Sequence, residues 1–413
     1  MTAAVRAGYK QTEVGVIPED WEVSLIGKVF NLINGCAFKP SEWKSQGIPI
    51  IRIQNLNDPT ALFNYSSVVP DERNAICPGD LLFAWSGTTG SSFGARIWTG
   101  PAGVLNQHIF KVIVDHRKLT ASFAFLIFQK IQTEIEKQAH GFKTSFVHVK
   151  KADLVQVCLP IPPIPEQQAI ATALSDVDGL LAKLDDLVAK KRDLKAAVMQ
   201  QLLTGLTRLP GFSGEWEVKR LGDVAAMGSG GTPTSSVLTY YDGNYPWVSI
   251  SDMTKGGKVI SKTDRNLSAV GLANSAAQMF PVGTILYAMY ASLGECSIAG
   301  MPLCTSQAIL GIRPQERLDA NFLYYYLTSL KNSVKSMGQQ GTQANLNKGM
   351  VQAFQLGLPP IKEQIAIAAV LSDMDTELTA LEARRDKTRA LKQGMMQELL
   401  TGRIRLVSTS PQP

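Results

Sequence analysis

The chain has little of what secreted proteins and most enzymes rely on. Of its 413 residues only five are cysteine and four are histidine. Cys36, Cys77, Cys158, Cys296 and Cys304 are scattered and form no CxxC pair, which excludes a disulfide framework and leaves reduced thiols. His108, His116, His140 and His148 complete no metal-ligand spacing with them. No apolar run reaches the roughly 18 residues of a membrane span, and MTAAVRAGYK does not read as a signal peptide, so a cytoplasmic location is expected. A phosphate-binding GxxxxGK[ST] loop is missing, since Lys258 follows paired glycines without the upstream spacing. There is no [DN]PP[YF] stretch and no glycine-rich methyl-donor loop after a strand. Pro70, Asp71, Glu72 and Arg73 resemble a nuclease carboxylate set only faintly, lacking its lysine and a twin elsewhere. No catalytic centre is expected in this chain.

What it has instead is a repeat. Residues 162–209 and 359–406 align without a gap at an offset of 197, with 26 of 48 positions identical. Each copy predicts one long helix. Paired prolines, Pro162 and Pro163 or Pro359 and Pro360, force extended backbone upstream. Glu166 or Glu363 then suits the first turn, and Gly205 or Gly402 the C-terminal cap. Ile170, Leu174, Val177, Leu181, Leu184, Val188, Val198 and Leu202 form a heptad seam, matched by Ile367, Leu371, Met374, Leu378, Leu381, Met395 and Leu399. Such a helix of about 38 residues is roughly 57 Å long. The seam is interrupted by Lys191, Lys195, Arg385, Thr388 and Lys392. These polar positions read either as a frayed or solvated stretch or as a surface that receives helices from another subunit.

The remaining parts repeat more loosely. Trp21, Glu22, Val23 and Gly27 recur as Trp216, Glu217, Val218 and Gly222. PGDLLFAWSGTTG matches PVGTILYAMYASLG, and Gln107 and Ile109 match Gln307 and Ile309. The offset drifts there, because loops change length more freely than packed helices. Strands are expected at 48–53, 108–114 and 154–159, with a hairpin across Ser86 to Gly90 and a helix at 119–139. In the second half they become strands at 246–250, 308–313 and 352–358, a turn at Tyr290 to Gly294 and a helix at 319–336. KQTEVGVIPEDWEV resembles TRLPGFSGEWEV, so the chain begins where its repeat would continue after residue 406. The expected fold is therefore α+β: two similar globular domains joined by two long antiparallel helices in a coiled coil, related by a pseudo-two-fold axis. Its boundaries are 1–160, 161–209, 210–357 and 358–406, with a disordered tail at 407–413. The formal charge of +6 is concentrated in the globular parts: 16 basic against 13 acidic residues in 1–165, and 11 against 9 in 210–361. This permits a polyanion partner without demanding one.

The blocks LPIPPIPEQQAIATALSDVD, KKRDLKAAVMQQLLTG and GEWEVKRLGDV, with their second copies, resemble the specificity subunit of Type I restriction-modification enzymes. The resemblance covers essentially the whole chain, its helical motifs being specific and its globular parts not. It implies two target recognition domains, each reading one half of a bipartite asymmetric site in double-stranded DNA. It also implies helices that act as a spacer and dock two methyltransferase subunits, with translocase-nuclease subunits joining through them. The chain itself would carry no active site and no cofactor, S-adenosylmethionine belonging to the methyltransferase partner. The competing reading is a coiled-coil adaptor that binds protein without DNA specificity.

Loops rich in glycine, amides and hydroxyls suit contact with base edges and phosphates, although the same residue types make ordinary turns. The DNA-contacting candidates are Lys39, Ser86, Thr88, Thr89, Lys143, Thr144 and Lys150 in the first domain. In the second they are Thr232, Thr234, Tyr290, Ser292, Gln343, Asn345, Asn347 and Lys348. Trp21, Trp216 and the aromatic runs at 123–128 and 324–326 are expected in the core.

Overall fold

The computed structural model describes residues 5–58, 60–67, 71–141, 146–339 and 345–406. The expected tail at 407–413 lies outside them, as do Lys143, Thr144 and Gln343. Two compact units result: residues 1–183 with 384–413, and residues 184–383. Each unit therefore holds a globular part together with half of each long helix.

The long helices run Ile164–Leu203 and Ile361–Leu399. They begin two residues before the expected glutamates, since a proline or lysine at the second position needs no N–H partner in the first turn. Gly205 and Gly402 both take positive φ, 73° and 71°, as the cap requires. Within the second unit Lys195 pairs with Asp375 and Arg192 with Glu382, so the helices run antiparallel. In the first unit Ile170, Ala171 and Leu174 share a core with Leu399 and Leu400, while Asp178 pairs with Lys392. That is the same antiparallel relation.

In the first unit an antiparallel sheet has the strand order Gly94–Ile97, Leu81–Ala84, Ile109–Val114, Phe30–Asn34. The helix Ala121–Gly141 covers one face. A second sheet has the order Asn64–Ser66, Ile48–Ile51, Gly103–Leu105, Ala75–Ile76, with Gly103–Leu105 parallel to Ile48–Ile51. The run LLFA shows why its strand is apolar throughout. Leu81 and Phe83 point into the core beneath the helix, and Leu82 and Ala84 into a separate core with Ile51, Trp98 and Leu105. A period-two strand buried on both faces has no polar side.

The second unit repeats this plan. Its five-stranded sheet has the order Ala225–Ser229, Ile309–Pro314, Ile285–Ala288, Cys296–Ala299, Val259–Ile260. Ile285 and Tyr287 enter one core, Leu286 and Ala288 another. A smaller sheet joins Arg265–Leu267, Tyr241–Val248 and Cys304–Thr305, the last two parallel.

Several local expectations shift. The hairpin spans more chain than expected, because Ala84 pairs with Gly94. Ser86–Thr88 leaves that sheet to pair with Phe146–His148. The last strands are Cys158–Ile161 and Gln355–Leu358, each preceded by a short helix where a strand start was expected. The second-unit helix divides at Leu330 into Ala320–Ser329 and Lys331–Gln339.

Each long helix is seated by a glutamate and a glutamine that the sequence places side by side. Gln167 accepts from the Thr120 N–H at 2.9 Å and donates to the Lys118 and Pro162 carbonyls at 2.7 and 2.9 Å. Gln364 accepts from Asp319 N–H at 2.8 Å and donates to Arg317 and Pro359 at 2.9 and 2.8 Å. Both amides are fully buried and fully bonded. Beside them Glu166 receives Arg405 at 2.5 and 2.7 Å, and Glu363 receives Arg208 at 2.5 and 2.6 Å. In the first unit this ties the two ends of the chain together. Arg405 also grips Asp20 at 2.8 and 2.9 Å, and the Tyr9 hydroxyl donates to the Gly402 carbonyl at 3.0 Å. The segment before residue 21 thus follows on from residue 405 in space, as the permuted repeat predicts.

Candidate nucleic-acid interface

In each unit the polar loops named from sequence converge on one backbone junction. In the first unit the chain leaving the central strand at Trp85 donates its N–H to the His108 carbonyl at 3.1 Å. The Trp85 carbonyl accepts from Val149 N–H at 2.9 Å. In the second unit Met289 donates to Ala308 at 2.9 Å and accepts from Leu346 at 3.1 Å. The frame extends to a third loop: Gly35 donates to Ile109 and Cys36 to Leu105, at 3.1 and 2.8 Å, matching Gly230 to Ile309 and Gly231 to Thr305, at 3.1 and 2.9 Å. Only glycine fits this crossing. A Cβ at Gly35 would meet the Asn106 carbonyl oxygen at 1.9 Å, and one at Gly230 the Ser306 oxygen at 2.3 Å.

This frame positions the candidates. Lys39 lies three residues beyond Cys36, exposed, with its N–H bonded to Glu42. Thr88 is exposed and its N–H bonds the Ser92 hydroxyl at 2.7 Å, whereas Ser86 is buried and faces the interior. Thr89 is half-buried in the same loop, and Lys150 is exposed one residue after Val149. In the second unit Thr232 and Thr234 are exposed, and the Thr232 hydroxyl accepts the Gln307 N–H at 3.4 Å. Tyr290 is exposed and Ser292 half-buried, either side of Ala291, which holds a φ of 62°. Asn345, Asn347 and Lys348 are exposed around Leu346, and Asn347 caps a short helix by accepting from Met350 N–H at 3.0 Å. Asn347 is thus partly occupied by capping, and burial leaves Ser86 little to offer a duplex.

The residues at the centre of the junction were missed. Gln107 and Gln307 sit at its turn, both exposed. Trp85 stacks on Phe110 with 5.7 Å between centroids and lies 5.0 and 4.9 Å from the His108 and His148 rings. Trp85 Nε1, Asn106 Oδ1 and His108 Nδ1 are buried without a hydrogen-bond partner among the described residues, and His108 holds a φ of 73°. Unpaired buried polar atoms and a left-handed non-glycine residue are both costly, and such costs concentrate at functional sites. The signal in the sequence is the glutamine repeated at both places, Gln107 and Gln307.

The polar seam residues are half-buried between the long helices. Lys191 bonds Glu377 at 2.7 Å and Lys195 bonds Asp375 in the second unit; Lys392 bonds Asp178 at 2.7 Å in the first. Arg385 pairs with the adjacent Asp386 at 2.8 Å, and the Thr388 hydroxyl donates to the Arg384 carbonyl at 2.8 Å. Their polarity is accounted for by partners in the same chain. At Asp375 the cluster grows: the Tyr325 hydroxyl donates to it at 2.7 Å, and Lys258 reaches that hydroxyl at 3.0 Å. Burial lowers the pKa of Lys258, and burial, then the Asp375 carboxylate, raises that of Tyr325.

Among the described residues no group of three or more His, Cys, Asp or Glu side chains could hold a metal ion, and no helix is long and apolar enough to cross a membrane. Two α+β parts with the same backbone frame and unlike loop side chains define a recognition protein with two reading heads.

The particular family follows from comparison. Residues 18–188 and 213–389 each match the Type I restriction modification DNA specificity domain, and the chain belongs to that family as a DNA-specificity subunit of a type I restriction-modification system. It is 24% identical over 413 residues to the type I restriction enzyme MjaVIII specificity subunit of Methanocaldococcus jannaschii, covering 94% of this chain and 94% of that one. Its fold is similar to a chain solved in work on complex assembly and conformational transition of a type I R-M system, with a TM-score of 0.62, 20% identity and 94% and 99% coverage. A similar match is the type I system S subunit from M. genitalium, with a TM-score of 0.54, 16% identity and 92% and 96% coverage.

Proposed function

We propose that each globular part reads one half of an asymmetric bipartite site in double-stranded DNA, and that the long helices set the number of base pairs between the halves. The observation that carries this reading is the junction itself, built on one set of backbone bonds in both units and lined by different side chains. A shared frame gives both heads the same approach to a duplex, and the unlike loops give each its own sequence. With each wrong base pair costing about 1–3 kcal/mol, two short half-sites at fixed separation multiply their discrimination.

The proposed contacts are Lys39, Thr88, Thr89 and Lys150 in the first unit and Thr232, Thr234, Tyr290, Ser292, Asn345 and Lys348 in the second, with Lys143, Thr144 and Gln343 beside them in sequence. In this reading the helices dock two methyltransferase subunits along the stretch that carries Lys191, Lys195, Arg385, Thr388 and Lys392, around the ion pairs the three lysines make within the chain. Those partners would add phosphate contacts, bind S-adenosylmethionine and flip the target adenine, while translocase-nuclease subunits join the same complex. The chain supplies specificity and no catalytic group.

The test is sequencing of methyladenine in DNA from cells making this chain with a type I methyltransferase subunit, against the methyltransferase alone. A bipartite motif with a fixed unspecified spacer that appears only with this chain supports the reading. Co-purification of the two proteins with no motif would sink it. Inserting about four residues, roughly 6 Å of helix, near Leu184 and Leu381 lengthens the spacer by one or two base pairs.

A further inference from the structure

We propose that Gln107 and Gln307 make the one DNA contact that both domains share, an amide N–H donated to a phosphate oxygen of the duplex backbone, while the unlike side chains around them read sequence. This rests on the half-site reading above.

The two glutamines occupy the same place. Each directly precedes the residue whose carbonyl accepts from the end of the central strand, His108 from Trp85 and Ala308 from Met289. Each also follows a residue whose N–H is held by the neighbouring strand, Asn106 by Ile51 at 3.0 Å and Ser306 by Val248 at 2.9 Å. Such a backbone cannot drift, so the side chain is presented at a defined point. Both side chains are exposed, and among the described residues neither makes a hydrogen bond. A glutamine held so firmly and used for nothing inside the fold is available to a ligand.

The surroundings decide which contact it makes. Trp85 stands where the second unit has Met289, His108 where it has Ala308, and His148 where it has Asn345. Two heads that read different sequences have no reason to keep a base-reading residue in common. They do have in common the phosphate backbone, the part of DNA that is the same in every sequence. Exposed lysines flank the position, Lys39 and Lys150 in one unit and Lys348 in the other, which suits an anionic partner.

The experiment uses the full chain with its methyltransferase partner. Wild type must first yield a bipartite methyladenine motif; if it yields none, the half-site reading falls and this inference with it. Given a motif, Gln107→Ala and Gln307→Ala should each lower kcat/KM for methylation about tenfold, the loss of one hydrogen bond to a charged group, with every base of the motif unchanged. Gln107→Lys should recover most of the rate and steepen its salt dependence by about one phosphate contact. Thermal unfolding of each variant separates lost contact from lost fold. A new base accepted in either half-site would show that the glutamine reads sequence and overturn the proposal. An unchanged rate, or a folded Gln107→Lys no better than Gln107→Ala, would overturn it equally.

Discussion

The two units solve the same problem, seating a long helix against a globular part, with one difference in connectivity. In the second unit the chain runs unbroken from the end of one long helix at Leu203 through Arg208 to Trp216, and Arg208 clamps Glu363 along the way. In the first unit the corresponding segment is cut by the chain ends, and Arg405 closes the gap by holding Glu166 and Asp20 together. The aromatic partners follow suit. Trp21 donates its indole N–H to Glu166 at 2.9 Å, whereas the buried Trp216 N–H has no hydrogen-bond partner among the described residues. A noncovalent closure needs more bonds than a covalent one, because it must also overcome the entropy of bringing together two segments far apart in sequence.

If that comparison is right, Arg405→Ala is the most damaging single change. It leaves Glu166 buried without its cation and releases the N-terminal segment, costing about 3–5 kcal/mol. Arg208→Ala strands Glu363 in the same way but leaves the chain continuous, so its cost is smaller. Hydrogen exchange read on peptides from each unit checks this; equal losses in the two units would break the comparison.

Next in size, Gln167→Ala and Gln364→Ala each remove the three hydrogen bonds of a buried amide and should cost about 2–4 kcal/mol apiece. Here the units are alike, so unequal shifts in their denaturant midpoints would count against it. Trp21→Phe loses a bond to a buried carboxylate and costs about 1–3 kcal/mol, while Trp216→Phe removes an unpaired N–H and falls within about 0.5 kcal/mol of wild type. Tyr325→Phe costs about 1 kcal/mol, because Asp375 keeps Lys195 when the hydroxyl goes. Thermal unfolding resolves each of these.

The long helices were the most legible part of the sequence. Their heptad seam, proline entry and glycine exit are local signals repeated twice, and the observed ends fall within two residues of those expected at the N-terminal side. The seam lysines were legible as exceptions but not as ion pairs, because Asp178, Asp375 and Glu377 are assigned to them only by the antiparallel packing. In the globular parts the buried strands stood out as apolar runs. The pairing of Ser86–Thr88 with Phe146–His148 did not, since each is three residues long and their partners lie some sixty residues apart. The loops that carry the candidate residues stand out by composition, whereas the glutamines at their centre and the Trp85 cluster do not. Exposure and unpaired burial are properties of an arrangement, and composition does not carry them.

The sequence by itself determined that this protein is a twofold repeat, that each repeat ends in a long helix with a buried seam, and that the segment before Trp21 resembles the one before Trp216. Those follow from spacing and identity along the chain. Only the tertiary structure decided that Glu166 and Gln167, like Glu363 and Gln364, are the clamps that seat the helices, and that three distant loops meet around Gln107 and again around Gln307. Those contacts join residues scores to hundreds of positions apart. Their partners are fixed by which surfaces the fold buries together, and no local pattern names them.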